Sequence, residues 1–460
     1  MKTKKIVLAQ ASFDVVPTER GGAVFIDANR FPEGQLTHEL NSRGTYSEGL
    51  GRLLRAKLDG AQTNRLHLME NRSWAHAGGL TFGPMYAIGE ELILRNAVQA
   101  QQMDITLTMG KGMKGIMAQD GALKYNGEPV TAFNYADFEI MRTKSEILSD
   151  LLALKNMFRF GGAEIIENGF INLPSAAHLP PQLPAQLKDR LAGSFMRKAQ
   201  IYDSFDSNGI ATPARMVVNL AQQTQGETLA SIRGMAKEYG TVVIKTNEAG
   251  GRSVGVFVVN DAAQAGNVFR AMQEHMRRHN IASWLIEQRQ AGITVSACGK
   301  KWLVELTPLV VGERSLGEST VSVMAKYVQA GRLNTEGYEL LPGMLPSYAY
   351  LGLNDGGVVS AGKTMLDSII SNNDLLTLRR TLETVTMETV EQQINDHFAE
   401  SHDEAKAIKE ELNGSGITER VAKDAEKAKM ALESAVDTSM GRLKNAMAAL
   451  SPNDLKDMLR

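Results

Sequence analysis

The chain has 460 residues, 43% of them hydrophobic and 22% charged, which describes a globular protein of two to four folding units rather than a disordered one. A formal net charge of −2 excludes a dedicated nucleic-acid binder, whose affinity would rest on clustered Lys and Arg. Cys298 is the only cysteine, so there is no internal disulfide framework; no CxxC or HExxH pattern signals zinc, and no apolar run is long enough to span a membrane, so the expectation is a soluble, cytoplasmic protein.

In chain order, Lys4–Ala11 is predicted as a buried strand and Gly22–Ile26 as a second. Helical apolar spacing follows over Tyr46–Leu58 and Gly89–Gln102. The Ile105–Met109 strand leads into GKGMKG, a GxGxxG match. The turn signals Asp120-Gly121 and Asn126-Gly127 after it predict a hairpin rather than a dinucleotide loop. Phe138–Met141 ends on Arg142; a helix over 145–160 and short strands at Glu164–Ile166 and Phe170–Asn172 complete an α/β layer. Four prolines between Pro174 and Pro184 mark a linker. Leu187–Asn208 is predicted as one helix stopped by Gly209, Met216–Asn219 as a strand and Thr228–Glu238 as a helix.

Tyr239–Asn260 reads as a hairpin: a β-branched run ends on Lys245, a Gly-rich loop carries Arg252 and Ser253, and a second apolar run leaves it. By itself it is equally a basic surface turn or a polyphosphate clamp of backbone N–H groups and a cation. Beyond it come a helix over Ala262–Arg278, a strand Ser283–Gln288, and an antiparallel pair, Ile293–Ala297 with Lys301–Leu306. From about Ser371 the composition turns helical. Val421, Ala425, Ala428, Leu432, Val436, Met440, Leu443 and Met447 form a stripe that predicts packing on another helix or on the main body.

Three separated stretches resemble the ATP-grasp superfamily. FMRKAQIYDSFDSNGIATPAR resembles its Lys-bearing helix and GIPTP turn, VVIKTNEAGGRSVGV its phosphate-covering hairpin, and WLIEQRQ its adenine hinge. Upstream, YADFEIMRTK and FRFGGAEIIENGFINLPSAAHL are similar to the glutathione synthetase and RimK-like ligases. The resemblance implies an α/β (α+β) ATP-grasp fold: a pre-ATP-grasp α/β domain over 1–185, a nucleotide-binding domain over 186–370 and a helical C-terminal extension over 371–460. It also implies ATP and Mg²⁺ as cofactors and ligase chemistry between a small-molecule or peptide carboxylate and an amine, through an acylphosphate. Lys198 and Lys245 would contact phosphates, with Gly250, Gly251, Arg252, Ser253 and Gly255 in the covering loop. Glu287 and Gln288 would hold adenine or ribose; Arg252, Arg314 and Arg142 are the expected catalytic or carboxylate-holding cations.

The sequence departs from the family at the metal site, where an acid should be followed about a dozen residues on by Glu-x-Asn. None is found after Glu287; Glu305, Glu318, Asn354 and Asp355 are the candidates, Glu305 fitting best as a strand-borne acid. The Asp-x-Arg expected after the hinge is replaced by ITVSA, leaving Lys300, Lys301 and Arg314 as substitute cations. The departure keeps a second reading open: a nucleotide binder without ligase activity, acting as a scaffold or assembly factor, with the C-terminal helices as a possible homo-oligomer contact.

Overall fold

In the computed structural model of the chain the described residues lie, with short breaks, within 7–29, 38–59, 63–70, 82–133, 165–167, 185–247, 256–312, 319–329, 349–350 and 406–449. The strands are β1 (Val7–Leu8), β2 (Gln10–Pro17), β3 (Ala23–Asn29), β4 (Arg65–Glu70), β5 (Thr106–Lys111), β6 (Ile116–Gln119), β7 (Ala122–Tyr125), β8 (Glu128–Pro129), β9 (Thr131–Phe133) and β10 (Ile165–Glu167). They continue as β11 (Arg215–Asn219), β12 (Val242–Thr246), β13 (Val256–Val259), β14 (Ser283–Gln288), β15 (Thr294–Ala297), β16 (Lys300–Val311), β17 (Thr320–Gln329) and β18 (Ala349–Tyr350). The helices are α1 (Thr45–Leu58), α2 (Phe82–Ala100), α3 (Ala185–Ala192), α4 (Lys198–Ser207), α5 (Gln225–Tyr239), α6 (Ala265–His279) and α7 (Ile417–Ala448). The expected mixed α/β architecture is met.

Four sheets form among the described residues: a small antiparallel one, β6-β7-β8, and three larger ones. A parallel sheet runs β1-β10-β9-β4-β5, and α1 and α2 bury Leu50, Leu53, Ile93 and Leu94 with Leu66 and Leu68 of β4 in one core. At the α1–α2 crossing, a Cβ on Gly51 would stand 2.5 Å from the Ala97 carbonyl, so only glycine permits this approach. A second sheet, β11-β14-β12-β13, is antiparallel, with α5 and α6 over one face and Trp284, Phe257, Ile244 and Ile286 beneath them. Thr224 starts α5 with a capping box to Glu227, and Gly240 at φ 77° ends it.

The third sheet runs β18-β17-β16-β2-β3, with β15 also on β16. Two strands from the first thirty residues therefore pair beside strands from beyond residue 300. Leu306 faces Val15 and Val311 faces Gln10 across that junction. The predicted single strand Lys4–Ala11 is accordingly corrected: β1 belongs to the parallel sheet and β2 to the antiparallel one. The chain changes sheet at Ala9, which is fully buried and whose carbonyl accepts from Gly312 N–H at 3.0 Å.

The predicted helix Leu187–Asn208 is also corrected, being two helices, α3 and α4. Gly193 follows α3, and a fresh N-terminus forms where Gln200 reaches back to the Arg197 N–H at 3.0 Å. The hairpin at 116–125 and the β15–β16 pair form as expected. The C-terminal stripe is buried within the same chain: Val421, Ala425, Ala428, Leu432, Val436 and Leu443 join the core that holds Phe13, Phe25 and Phe205. Those three rings meet edge to face at 5.6–5.9 Å.

Candidate functional site

Alternation along the second sheet decides which side chains leave its helix-covered core. In β12, Val242 and Ile244 face α5 and α6, so Lys245 projects from the opposite face. Val243 pairs with Glu287 and Lys245 with Leu285, which makes Lys245 and Glu287 diagonal neighbours on that face. Long side chains span such a diagonal. Lys245 Nζ lies 2.7 Å from Glu287 Oε1 and also donates to the Ile26 carbonyl at 2.6 Å and to Tyr202 Oη at 2.8 Å.

The start of α4 is tied to the end of β12 by one residue. Asn247, buried, accepts the Lys198 N–H on its carbonyl at 3.0 Å and the Ala199 N–H on Oδ1 at 2.9 Å. Two N–H groups left without partners in the first turn of α4 are thereby satisfied. The Asn247 amide is itself held by Ser283 Oγ at 3.1 Å. Lys198 is thus set beside Lys245, and Tyr202, one helical turn on, reaches the same point. Tyr202 Oη donates to the Ile26 carbonyl and accepts from Lys245.

β3 closes the cluster. Lys198 Nζ donates to Asp27 Oδ1 at 2.5 Å and to its second oxygen as well. Burial works against the Asp27 charge, but Lys198 and Lys245 outweigh it and hold the carboxyl below its usual range. Burial opposes the Lys245 charge too, yet Glu287, Tyr202 and Asp27 carry its pKa well above the usual lysine value. Burial pulls Lys198 down, with the Lys245 charge adding to it, and pushes Glu287 up. Glu287 Oε2 is buried with no hydrogen-bond partner among the described residues. Two lysines are thus compensated by two carboxylates.

Asp27 stands opposite Asp14 on β2, at a register shift between Asp14 and Val15. Asp14 Oδ1 accepts from Asn29 Nδ2 at 3.4 Å and from the buried Thr307 hydroxyl at 3.3 Å. A β-bulge re-aims side chains in this way, commonly near functional sites.

Beside the cluster opens a cleft of about 630 Å³ bordered by Ala199, Asp203, Asp206, Pro213, Arg215 and Gln288. Arg215 bridges Asp203 at 2.5 Å and Asp206 at 2.7 Å and lies 5.3 Å from the Tyr202 ring centre. The Gln288 N–H donates to the Ala214 carbonyl at 2.8 Å, locking the GIATPAR turn to the end of β14.

Of the residues singled out in the sequence, Lys198, Lys245 and Glu287 come together, and Gln288 borders the adjoining cleft. Glu305 lies half-buried on β16 opposite Lys326, two residues from the Thr307 that touches Asp14. Gly250, Gly251, Arg252, Ser253, Gly255, Arg142, Arg314, Glu318, Asn354 and Asp355 lie outside the described residues. Tyr202, Asp27, Asp14 and Asn247 were not anticipated. Tyr202 could have been found from its one-turn spacing after Lys198, whereas Asp27 is distant from every other member.

No family model and no curated protein matches the sequence. Among solved structures, the chain is similar to a candidate gamma-glutamylcysteine synthetase from Methylobacillus flagellatus KT, at 14% identity and TM-score 0.45 over 74% of this chain and 79% of that one. It is also similar to D-alanyl-alanine synthetase A from Vibrio cholerae, at 11% identity and TM-score 0.29 over 62% and 90% of the two chains. A RimK domain ATP-grasp protein from Sphaerobacter thermophilus aligns at 11% identity and TM-score 0.27 over 56% and 90%. Overlap at these scores is shallow.

Proposed function

We propose that this chain is an ATP-grasp protein that uses ATP and Mg²⁺ to join a carboxylate to an amine. The observation that carries the reading is the convergence of Lys198, Lys245 and Glu287, from three separate ATP-grasp-like stretches, into one buried cluster beside the 630 Å³ cleft. ATP brings about four negative charges, and two buried ammonium groups on rigid elements are a fitting counter-charge. The backbone beside Gln288, at the border of the cleft, would receive the base, since Leu285 and Ile286 are fully buried in the cores on either face of the sheet.

The reaction has two steps. A substrate carboxylate oxygen bonds to the γ-phosphorus while the bond to the β–γ bridging oxygen breaks, releasing ADP and forming an acylphosphate. The amine nitrogen then bonds to the acyl carbon, the carbon–oxygen bond to phosphate breaks, and the amine's surplus proton leaves with phosphate or solvent. Lys198 and Lys245 would hold the transferring phosphates in place and offset their charge. Mg²⁺, when bound, supplies further neutralisation of the phosphate oxygens.

A second reading, nucleotide binding without turnover in a scaffold or assembly factor, is favoured by one observation: Asp27 and Glu287 already compensate both lysines. ADP release in the presence of Mg·ATP with pooled carboxylates and amines separates the two. Carboxylate-dependent ADP release, lost in Lys245→Ala, supports the ligase. Saturable ATP binding with no turnover across the pool supports the scaffold, and no binding at millimolar ATP overturns both.

A further inference from the structure

We infer that the open edge of β11 docks an extended peptide segment as an added strand, with basic side chains of that peptide facing Asp203 and Asp206. Such docking requires no part of the nucleotide reading.

β11 is the outer strand of the β11-β14-β12-β13 sheet. In an antiparallel pair only alternate residues exchange backbone bonds with the partner strand. The Gln288 N–H donates to the Ala214 carbonyl at 2.8 Å and the Leu220 N–H to the Ala282 carbonyl at 2.9 Å. Met216 and Val218, in register between them, therefore also bond toward β14. Arg215, Val217 and Asn219 turn their N–H and C=O groups to the open side. Asn219 is closed off by its own chain: its N–H donates to Gln223 Oε1 at 2.9 Å, and its carbonyl accepts from the Gln222 and Gln223 N–H groups. The backbone groups of Arg215 and Val217 have no such partner among the described residues. The strand also stands clear on both faces, since Met216 and Val217 point to opposite sides and are 41% and 46% exposed. Open edges are commonly guarded by proline, lysine or a bulge, and β11 carries none of the three.

The cleft beside this edge selects the occupant. Val217 borders it together with Asp203, Asp206 and Thr212. The two carboxylates are 71% and 46% exposed and share one guanidinium, that of Arg215, so this wall is net negative. A peptide laid along β11 sets every second side chain over the wall, where Lys or Arg is complemented, and the others on the Met216 face, which suits an apolar residue. A second copy paired edge to edge about a two-fold axis would keep both α4 faces on one side of the joined sheet. It would bring two more carboxylates to that face rather than cations. A separate basic strand is the better complement. Gln288, proposed for the base, stands at the Ala214 end of β11, and the unpaired Val217 groups lie beyond it.

The test is fluorescence anisotropy of a labelled short peptide of alternating Lys and Val on the full chain. It is compared with the same peptide carrying Glu for Lys, and with the Lys peptide N-methylated at every amide. Val217→Pro removes an N–H that faces the open side and leaves the ladder to β14 whole. The Lys peptide should bind saturably. N-methylation, Val217→Pro and the exchange of Lys for Glu should each weaken binding by roughly tenfold or more. The N-methylated peptide leaves the protein unaltered, so it keeps the test decisive if Val217→Pro fails to fold. Binding that survives N-methylation, or that survives Val217→Pro in the folded variant, overturns the inference. Equal affinity for the Lys and Glu peptides does so too, as does no binding at millimolar peptide. A dimer in sedimentation that Val217→Pro returns to monomer would give the edge to a second copy and overturn it equally.

Discussion

Lys198 and Asp27 stand 171 positions apart in the chain, and the ammonium of one rests on the carboxylate of the other. The contact joins α4 to the β2–β3 hairpin. Both partners are largely shielded, with side-chain exposures of 13% and 27%. Removing either leaves a poorly solvated charge, which costs more than the pair contributes. Asp27→Asn and Lys198→Met are each expected to lower stability by about 2 kcal/mol, discounted for the exposure of Asp27. The double variant should recover part of the loss, with a coupling of about 1–3 kcal/mol in urea unfolding. Strict additivity would show that the contact carries no energy.

The same pair predicts acid sensitivity. Asp27 has its folded pKa below the unfolded value of 3.8. Its contribution is fully present above that value and is lost as pH falls from there through the folded pKa. Asp27→Asn should flatten the stability curve in this window alone.

His67 predicts a separate window. It is buried on β4, with Nδ1 2.8 Å from Thr108 Oγ1 and its ring 3.9 Å from that of Tyr125. Burial depresses its pKa from 6.5 to about 4. Between those values the unfolded chain takes up a proton that the fold refuses, so stability falls as pH drops from 6.5 to 4. The loss by pH 4 is on the order of 3 kcal/mol. Unfolding of His67→Gln across this range should show that slope removed; an unchanged slope would assign the proton uptake elsewhere.

Asn247 joins β12 to the start of α4 and so sets Lys198 against Lys245. Asn247→Ala removes the Oδ1 acceptor and leaves Ala199 N–H and Ser283 Oγ short of a partner. A loss of about 1–2 kcal/mol is expected, with ATP affinity falling further than Tm alone explains. A variant with lowered Tm and intact ATP affinity would make Asn247 a purely structural residue.

Leu432 on α7 is fully buried against the body of the same chain, and Lys429 Nζ, one turn before Glu433, donates to the Gly312 carbonyl at 2.6 Å. Leu432→Ala is expected to cost about 3 kcal/mol with no change of mass in sedimentation. A change of mass at constant Tm would instead return the stripe to an interface between chains.

Much of the cluster is legible in the sequence because its members lie on locally determined elements. Lys245 ends a β-branched run and Glu287 ends an apolar one, and a period of two fixes which residues leave the core together. The GIATP turn after a Lys-bearing helix likewise announces α4. Periodicity also places α1, α5 and the buried stripe of α7, although not whether that stripe meets its own chain or another. The division of Leu187–Asn208 into two helices escapes periodicity, since the break depends on Gly193 and on the Gln200–Arg197 contact.

What only the tertiary structure decides is the partner of Lys198. Nothing local distinguishes FDVV and IDAN from any other half-buried hairpin, since strand pairing is a long-range choice made by burial and backbone hydrogen bonding. That choice sets β2 and β3 against β16, brings Asp27 across 171 positions to Lys198, and places Asp14 beside Thr307. The sequence by itself determined two lysines and an acid suited to a polyphosphate. The sheet order determined which carboxylates face them, because a charge buried in a fold must find its counter-charge wherever the topology provides one.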